Sequence, residues 1–183
     1  MPEANSNLPH VTAVLSTLGL YDFRWASEQA KERGSRIHRA ISFLADNDLD
    51  WKSVDEEEVG YVRAAQKFLR DTEFKVELVE CHVSNPVYGY QGTLDLEGRV
   101  RGIRRTLVDW KSSETGLVVD EVALQLAAYG FALDPAAIFD RVGVGLMPDG
   151  TYKIKWFKTE DYREDCHDFL AALRVCKRLE RTK

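Results

Sequence analysis

The sequence predicts a mixed α/β fold, a central mixed β-sheet covered by helices on both faces. Three observations carry that expectation. Residues 75–113 place apolar side chains at a period of two, the spacing of strands. The segments on either side of them show helical spacing instead. Finally, two short apolar runs bracket Pro148-Asp149-Gly150 and precede a last amphipathic stretch. Helix, helix, strand meander, helix, two strands and helix, in that order, fit a sheet between two helical layers.

Taken in turn, residues 27–45 follow an irregular start and read as a helix, with Ile37, Ile41 and Leu44 on one stripe and Gly34 inside it. A second helix spans about residues 55–70. Its acidic first turn, Glu56 to Glu58, suits the positive end of the helix dipole, and Val62, Ala65 and Leu69 supply the apolar stripe. Three or four strands then follow: one around Val76, Leu78 and Val79, a second over residues 87–96, and further runs over residues 100–103 and 107–110. Residues 121–133 return to helical spacing through Leu124, Ala127, Ala128 and Phe131. Residues 138–147 and 151–157 form a hairpin, and a final helix over about residues 160–179 has its acids early and its bases late.

At 183 residues, 44% hydrophobic and 30% charged, the chain is expected to be one domain, residues 1–183, irregular over about residues 1–10. No window approaches the roughly 18 to 20 consecutive apolar residues of a membrane span. The start MPEANSNLPH lacks the basic-then-apolar order of a secretion signal, so a cytoplasmic protein with no membrane partner is expected. Cys81, Cys166 and Cys176 form no zinc-binding pattern and read as reduced structural thiols.

The net charge of −5 argues against a protein that coats nucleic acid by bulk charge. Local clusters are another matter. Arg99, Arg101, Arg104, Arg105 and Lys111 fall within thirteen residues, and Arg174, Lys177, Arg178, Arg181 and Lys183 within the last ten. The first cluster is a candidate contact for a nucleic-acid backbone, with a solvated turn as the plain alternative. Trp51, Tyr88, Tyr90 and Trp156 are candidate stacking surfaces, although most aromatics serve the core.

Chemistry concentrates in TLVDWKSS, residues 106–113. Asp109 and Lys111 are two apart on a strand, so both project from the face that Leu107 shares, while Val108 and Trp110 point the other way. Asp95 lies fourteen residues earlier, and a return through the Arg-rich turn would bring the two carboxylates together. Neighbouring carboxylates repel unless a cation lies near them. Hard cations such as Mg²⁺ or Mn²⁺ prefer carboxylate oxygens, which makes one of them the expected cofactor. By itself the D-x-K triplet reads as an ordinary salt bridge.

Its company changes that reading. GSRIHRA at 34–40, GTLD at 92–95, VDWKSS at 108–113 and QLAAY at 125–129 occur in this order, and the succession resembles the PD-(D/E)XK nuclease superfamily, in particular its RecB-like exonuclease branch. The resemblance covers roughly residues 34–129 and implies a restriction-endonuclease-like core. It implies Asp95 and Asp109 as metal ligands and Lys111 as the catalytic lysine. His38 and the backbone carbonyl of Trp110 would be further ligands. Gln125 and Tyr129 match the Q-x-x-x-Y helix and lie on one helix face, with a place at the core boundary as the alternative. Ser112 and Ser113, closing the VDWKSS motif, are candidate DNA contacts, and Glu80, sharing a strand face with Val76 and Leu78, is a further candidate acid.

Two departures stand out: Leu94 precedes the first acid where other branches have proline, and Asp109 replaces glutamate. Three scattered cysteines do not match the four that hold an iron–sulfur cluster in some relatives, so none is expected. The activity implied is a Mg²⁺- or Mn²⁺-dependent DNA exonuclease of recombination, repair or phage replication. The rivals are a structure-specific endonuclease of the same fold and an inactive, nuclease-derived DNA-binding module.

Overall fold

The computed structural model describes residues 8–20 and 27–181. Most of the expected irregular start, residues 1–7, lies outside these, as does Lys183 of the C-terminal basic cluster. The helices are α1 (Val11–Thr17), α2 (Glu28–Ala45), α3 (Glu56–Asp71), α4 (Val122–Leu133) and α5 (Tyr162–Glu180). The strands are β1 (Phe74–Asn85), β2 (Tyr90–Val100), β3 (Arg104–Ser112), β4 (Asp140–Leu146) and β5 (Tyr152–Phe157). A short 3-10 turn, Trp51–Ser53, lies between α2 and α3.

Among the described residues the strands form one sheet in the order β1-β2-β3-β4-β5. β3 and β4 run parallel and every other pair antiparallel. The mixture follows from the connections: tight turns join the antiparallel pairs, whereas α4 carries the chain back from the end of β3 to the start of β4. The expected mixed sheet between helical layers is therefore what forms, with three strands over residues 74–112.

Helices α2 and α3 begin for local reasons. Ser27 caps α2, its Oγ accepting from the Ala30 N–H at 3.2 Å. Glu56, Glu57 and Glu58 fill the first turn of α3, and the buried Glu58 carboxylate accepts from Arg36 of α2 at 2.5 Å, tying the two helices together. Gly60 lets α3 approach the β4–β5 turn, because a Cβ there would lie 1.8 Å from the Pro148 carbonyl oxygen.

Two cores result. Ile37, Ile41, Tyr61 and Phe68 pack with Val108, Trp110, Val142 and Val144 on one face of the sheet; Phe68 meets Trp110 edge to face at 5.5 Å. On the other face, Leu126, Phe139, Phe169 and Leu173 pack with Tyr90, Leu94 and Leu107, joined by Val11, Val14 and Leu15 of α1. Helix α1 was not anticipated. The adjoining segment is fastened to β2, where Gln91 donates its backbone N–H to the Pro9 carbonyl and its side-chain amide to the Leu8 carbonyl. Arg141 of β4 is fully buried yet charged, and it donates to the Ala123 and Lys158 carbonyls and to the Asp165 carboxylate. That network joins the starts of α4 and α5 to the sheet.

The β1–β2 hairpin changes core partway along. Val76, Val79 and Leu96 belong to the α2/α3 core, whereas Cys81, Val83 and Leu94 belong to the α4/α5 core. The change of face falls at Glu80 and Asp95, where Glu80 adopts φ of +42°.

Candidate active site

At the C-terminal end of β3 lies a cleft of about 1130 Å³, into which the side chains singled out by the motifs converge. His38 comes from α2, Glu80 from β1, Asp95 from β2, Asp109 and Lys111 from β3, and Gln125 and Tyr129 from α4. Alternation along β3 works as expected: Leu107 faces the α4 core, while Val108 and Trp110 face α3.

The Trp110 peptide is the centre of this arrangement. Its N–H donates to Asp95 Oδ2 at 2.9 Å, and its carbonyl oxygen lies 3.0 Å from His38 Nε2. The other ring nitrogen, His38 Nδ1, lies 3.4 Å from Asp95 Oδ1 and 3.9 Å from Glu80 Oε1. Ligand atoms of His38, Glu80 and Asp95 all lie within 4.8 Å of one another. Imidazole nitrogen and two carboxylates are a donor set that suits a divalent cation such as Mn²⁺, and carboxylates suit Mg²⁺.

Glu80 reaches this cluster by a route that simple alternation does not describe. A register shift between Val76 and Leu78 breaks the expected sharing of a face, and the left-handed backbone at Glu80 re-aims its side chain. A non-glycine residue at such φ stores about 1 kcal/mol of strain, which the surrounding strands hold in place.

Asp109 stands apart from the three-residue cluster. One of its oxygens, Oδ2, lies 2.6 Å from Lys111 Nζ, and the other accepts from Gln125 Nε2 at 2.8 Å. Gln125 Nε2 also lies 3.3 Å from the Tyr129 hydroxyl. The Q-x-x-x-Y pair thus holds Asp109 in place. Gly92 of the GTLD motif makes room for it: a Cβ at Gly92 would lie 2.5 Å from Tyr129 Cε1. Gly92→Ala is expected to displace the buried Tyr129 ring and cost about 1–3 kcal/mol, read by denaturant unfolding. A variant as stable as the parent would contradict this packing.

Electrostatics follow from burial and neighbours. Burial opposes the charging of His38, but the Asp95 carboxylate beside it more than offsets this and pushes the imidazole up to about 9. Burial also works against the Asp95 carboxylate, and His38 reverses it, holding Asp95 below the usual range. Asp109 is pushed up by burial and by Asp95, against the pull of Lys111. Part of the repulsion expected between adjacent carboxylates is met by a cationic side chain of the protein itself, Lys111, which pairs with Asp109.

Ser112 and Ser113 line the cleft, and Ser113 Oγ accepts from the Gly116 N–H at 3.0 Å. Arg99, Arg101, Arg104 and Arg105 are not brought there. They surround the β2–β3 turn, and an antiparallel hairpin puts its turn at the far end of the strands from Lys111. Val100 is five residues beyond Asp95, about 16 Å along the strand. Each guanidinium also faces a carboxylate: Arg99 Glu77, Arg101 Glu73, Arg104 Asp140, and Arg105 both Glu97 and Asp134. Besides Lys111, the cations that line the cleft are Lys31, Arg33 and Arg39 of α2. Helical spacing signals only Lys31 among them, which shares a face with Ser35, His38 and Ser42. Of the four stacking candidates, Tyr90 is fully buried and donates to the Ala128 carbonyl, and Trp51, Tyr88 and Trp156 lie outside the cleft.

Among the described residues no helix is long and apolar enough to cross a membrane. No protein-family model matches the chain, and no curated protein matches it. Among solved structures, the fold is similar to that of a protein from Eubacterium rectale named as a candidate exonuclease. That likeness has a TM-score of 0.51 at 10% identity and covers 93% of this chain and 73% of the other. LHK-Exo in complex with dAMP is similar with a TM-score of 0.42 at 15% identity, covering 96% and 92% of the two chains. The alkaline exonuclease LHK-Exo from Laribacter hongkongensis gives a TM-score of 0.41 at 15% identity, covering 94% and 91%. At 10% identity the first likeness shows a shared fold, a helix-flanked mixed sheet, and nothing finer.

Proposed function

We propose that this chain is a divalent-metal-dependent deoxyribonuclease of the RecB-like kind, a single nuclease domain that hydrolyses DNA from an end. One observation carries the reading: metal-ligand atoms of His38, Glu80 and Asp95 gather within 4.8 Å beside the Asp109–Lys111 pair, in a cleft that α2 lines with cations. His38, Asp95 and Glu80 would hold Mg²⁺ or Mn²⁺, with Asp109 and the Trp110 carbonyl at its margin. Such a cation, when bound, supplies Lewis-acid polarisation of a phosphate and acidification of water.

The remaining work falls to the protein's own groups. Lys111 neutralises negative charge growing on the phosphate, and Gln125 fixes the Asp109 carboxylate that in turn holds the Lys111 ammonium. Tyr129 braces Gln125 from below. Ser112, Ser113 and the α2 cations meet the DNA backbone, which positions the strand without reading its sequence. End-processing in recombination, repair or phage replication is the setting this chemistry suits.

Cleavage of end-labelled single- and double-stranded DNA with Mg²⁺, Mn²⁺ or EDTA tests the reading. Metal-dependent release of terminal nucleotides is expected, absent in EDTA. Binding without cleavage under every condition would replace it with the DNA-binding module, and internal cuts only would replace the exonuclease with an endonuclease.

A further inference from the structure

Helix α5 carries most of the C-terminal basic cluster, and its packing decides where those cations point. Phe169, Leu173 and Cys176 are buried in the core it shares with α4. On an exposed side, Arg163, His167, Arg174, Arg178 and Arg181 follow one another at helical spacing and form a single stripe. At about 100° per residue, the acids of this helix, Glu164, Asp165, Asp168 and Glu180, fall on other sides. Among the described residues none of the four arginines forms an ion pair. The arginines around the β2–β3 turn, by contrast, each face a carboxylate. The stripe is therefore a local positive field on a chain of net charge −5.

Beside the first turns of the stripe lies a pocket of about 60 Å³. Tyr88 of the β1–β2 turn, Phe131 of α4, and Cys166 and Leu170 of α5 line it, and Arg163 and His167 of the stripe border it. Tyr88 is held there at two points: its ring lies 5.7 Å from that of Phe131, and its carbonyl accepts from Lys177 at 2.6 Å. Gly89 leaves space for this lysine, because a Cβ there would lie 2.7 Å from Lys177 Nζ. None of these residues lines the cleft of His38 and Asp95.

Volume and order along the helix select the ligand. A space of about 60 Å³ is the share of roughly two water molecules, enough for the branched tip of an aliphatic side chain and too small for a nucleobase. Leu170 and Ala171 separate Arg163 and His167 from Arg174 and Arg178, so the surface runs cation, apolar, cation. A row of phosphates offers nothing to the middle of that pattern. An acidic peptide with one aliphatic residue offers a group to each part of it. Arginine clusters that bind acidic motifs, and a single apolar side chain anchored in a pocket, are recurrent modes of protein recognition.

Going beyond the nuclease reading, we infer that the exposed side of α5 from Arg163 to Arg181 docks an acidic peptide segment of a partner protein. The carboxylates of that segment meet the arginines, and one aliphatic side chain enters the pocket beside Tyr88. Charge steers the encounter and the pocket fixes the register.

The test uses a fluorescein-labelled decapeptide of acidic residues around a central leucine, a second peptide with serine in place of that leucine, and an oligothymidylate of equal charge. Binding to the whole chain is followed in EDTA by anisotropy and by amide shifts of the ¹⁵N-labelled protein. The comparison is an Arg174→Glu/Arg178→Glu variant, changed at exposed positions and checked by an unchanged melting temperature. The leucine peptide is expected to shift amides of Tyr88, Phe131 and α5, and to bind the variant at least about tenfold more weakly. The serine peptide is expected to bind the parent at least about fivefold more weakly than the leucine peptide. Equal affinity for the two peptides, undiminished binding by the variant, or no shifts along α5 would overturn the inference. So would an oligothymidylate that moves the α5 amides at lower concentration than the leucine peptide, which would make the stripe a nucleic-acid tract. Self-association of the parent that the variant abolishes would put a second copy of this chain in the place of the partner and overturn it as well. The nuclease reading is decided separately by DNA cleavage, which none of these peptide measurements requires.

Discussion

Lys111→Ala is expected to lose about 10²–10³-fold in DNA cleavage and, separately, about 3 kcal/mol of folding stability. The two losses have different causes. Cleavage falls because the Lys111 ammonium no longer meets the charge developing on the phosphate. Stability falls because Asp109, 1% exposed, is left as a buried carboxylate without its ion-pair partner. The loss sits at the low end for a broken buried pair because the Lys111 side chain is 22% exposed. Adding Asp109→Asn separates these effects: the amide removes the stranded charge and keeps an acceptor for Gln125. The double variant should recover most of the stability and none of the cleavage, measured by urea unfolding alongside the DNA assay. Recovery of cleavage would mean that Lys111 only neutralises Asp109.

In EDTA, the protein should lose up to about 3 kcal/mol of stability as pH rises from about 6.5 to about 9, and His38→Gln should flatten that slope. The sign follows from the direction of the shift. His38 is raised to about 9 in the folded protein, so folding favours its charged form. That contribution is fully present below the unfolded imidazole value near 6.5 and is lost as pH climbs through about 9. Solvent reaches 28% of the side chain, so screening makes about 3 kcal/mol an upper bound. The lowered Asp95 reports the same interaction from its other side and is not counted again. Above this window Cys166, pushed up to about 11 by burial, adds a loss of its own, because its unfolded thiol ionises first. Melting temperatures across pH 6.5 to 9 decide the matter, and a slope retained in the variant would reject His38 as its source.

Much of the site could be read along the chain because its parts obey local periodicities. Asp109 and Lys111 share a face of β3 because strands alternate, and Gln125 and Tyr129 share a face of α4 because they are one turn apart. Asp95 neighbours the Trp110 peptide because a hairpin returns the chain. Helix α1 was not read from the sequence, although Val11, Val14, Leu15 and Leu18 carry a helical stripe. The arginine turn was assigned to DNA from charge alone, although the same hairpin geometry that joins Asp95 to β3 sends its turn away from the cleft. Glu80 was placed by alternation, and a register shift and one left-handed residue reach the same carboxylate cluster by another path.

Apart from α1 and the face of Glu80, the kinds of element, their order and the chemically active side chains that share a face follow from the sequence, since all of these are set within a few residues by backbone geometry and apolar spacing. Only the tertiary structure decided which faces meet. The hairpin's change of core at Glu80 and Asp95, the closeness of His38 to both, and the fastening of Val118 over Gly143 all join residues far apart in the chain. Such contacts are fixed by packing between layers, where a missing Cβ or a single bulge selects one approach over its alternatives, and no local period records that choice.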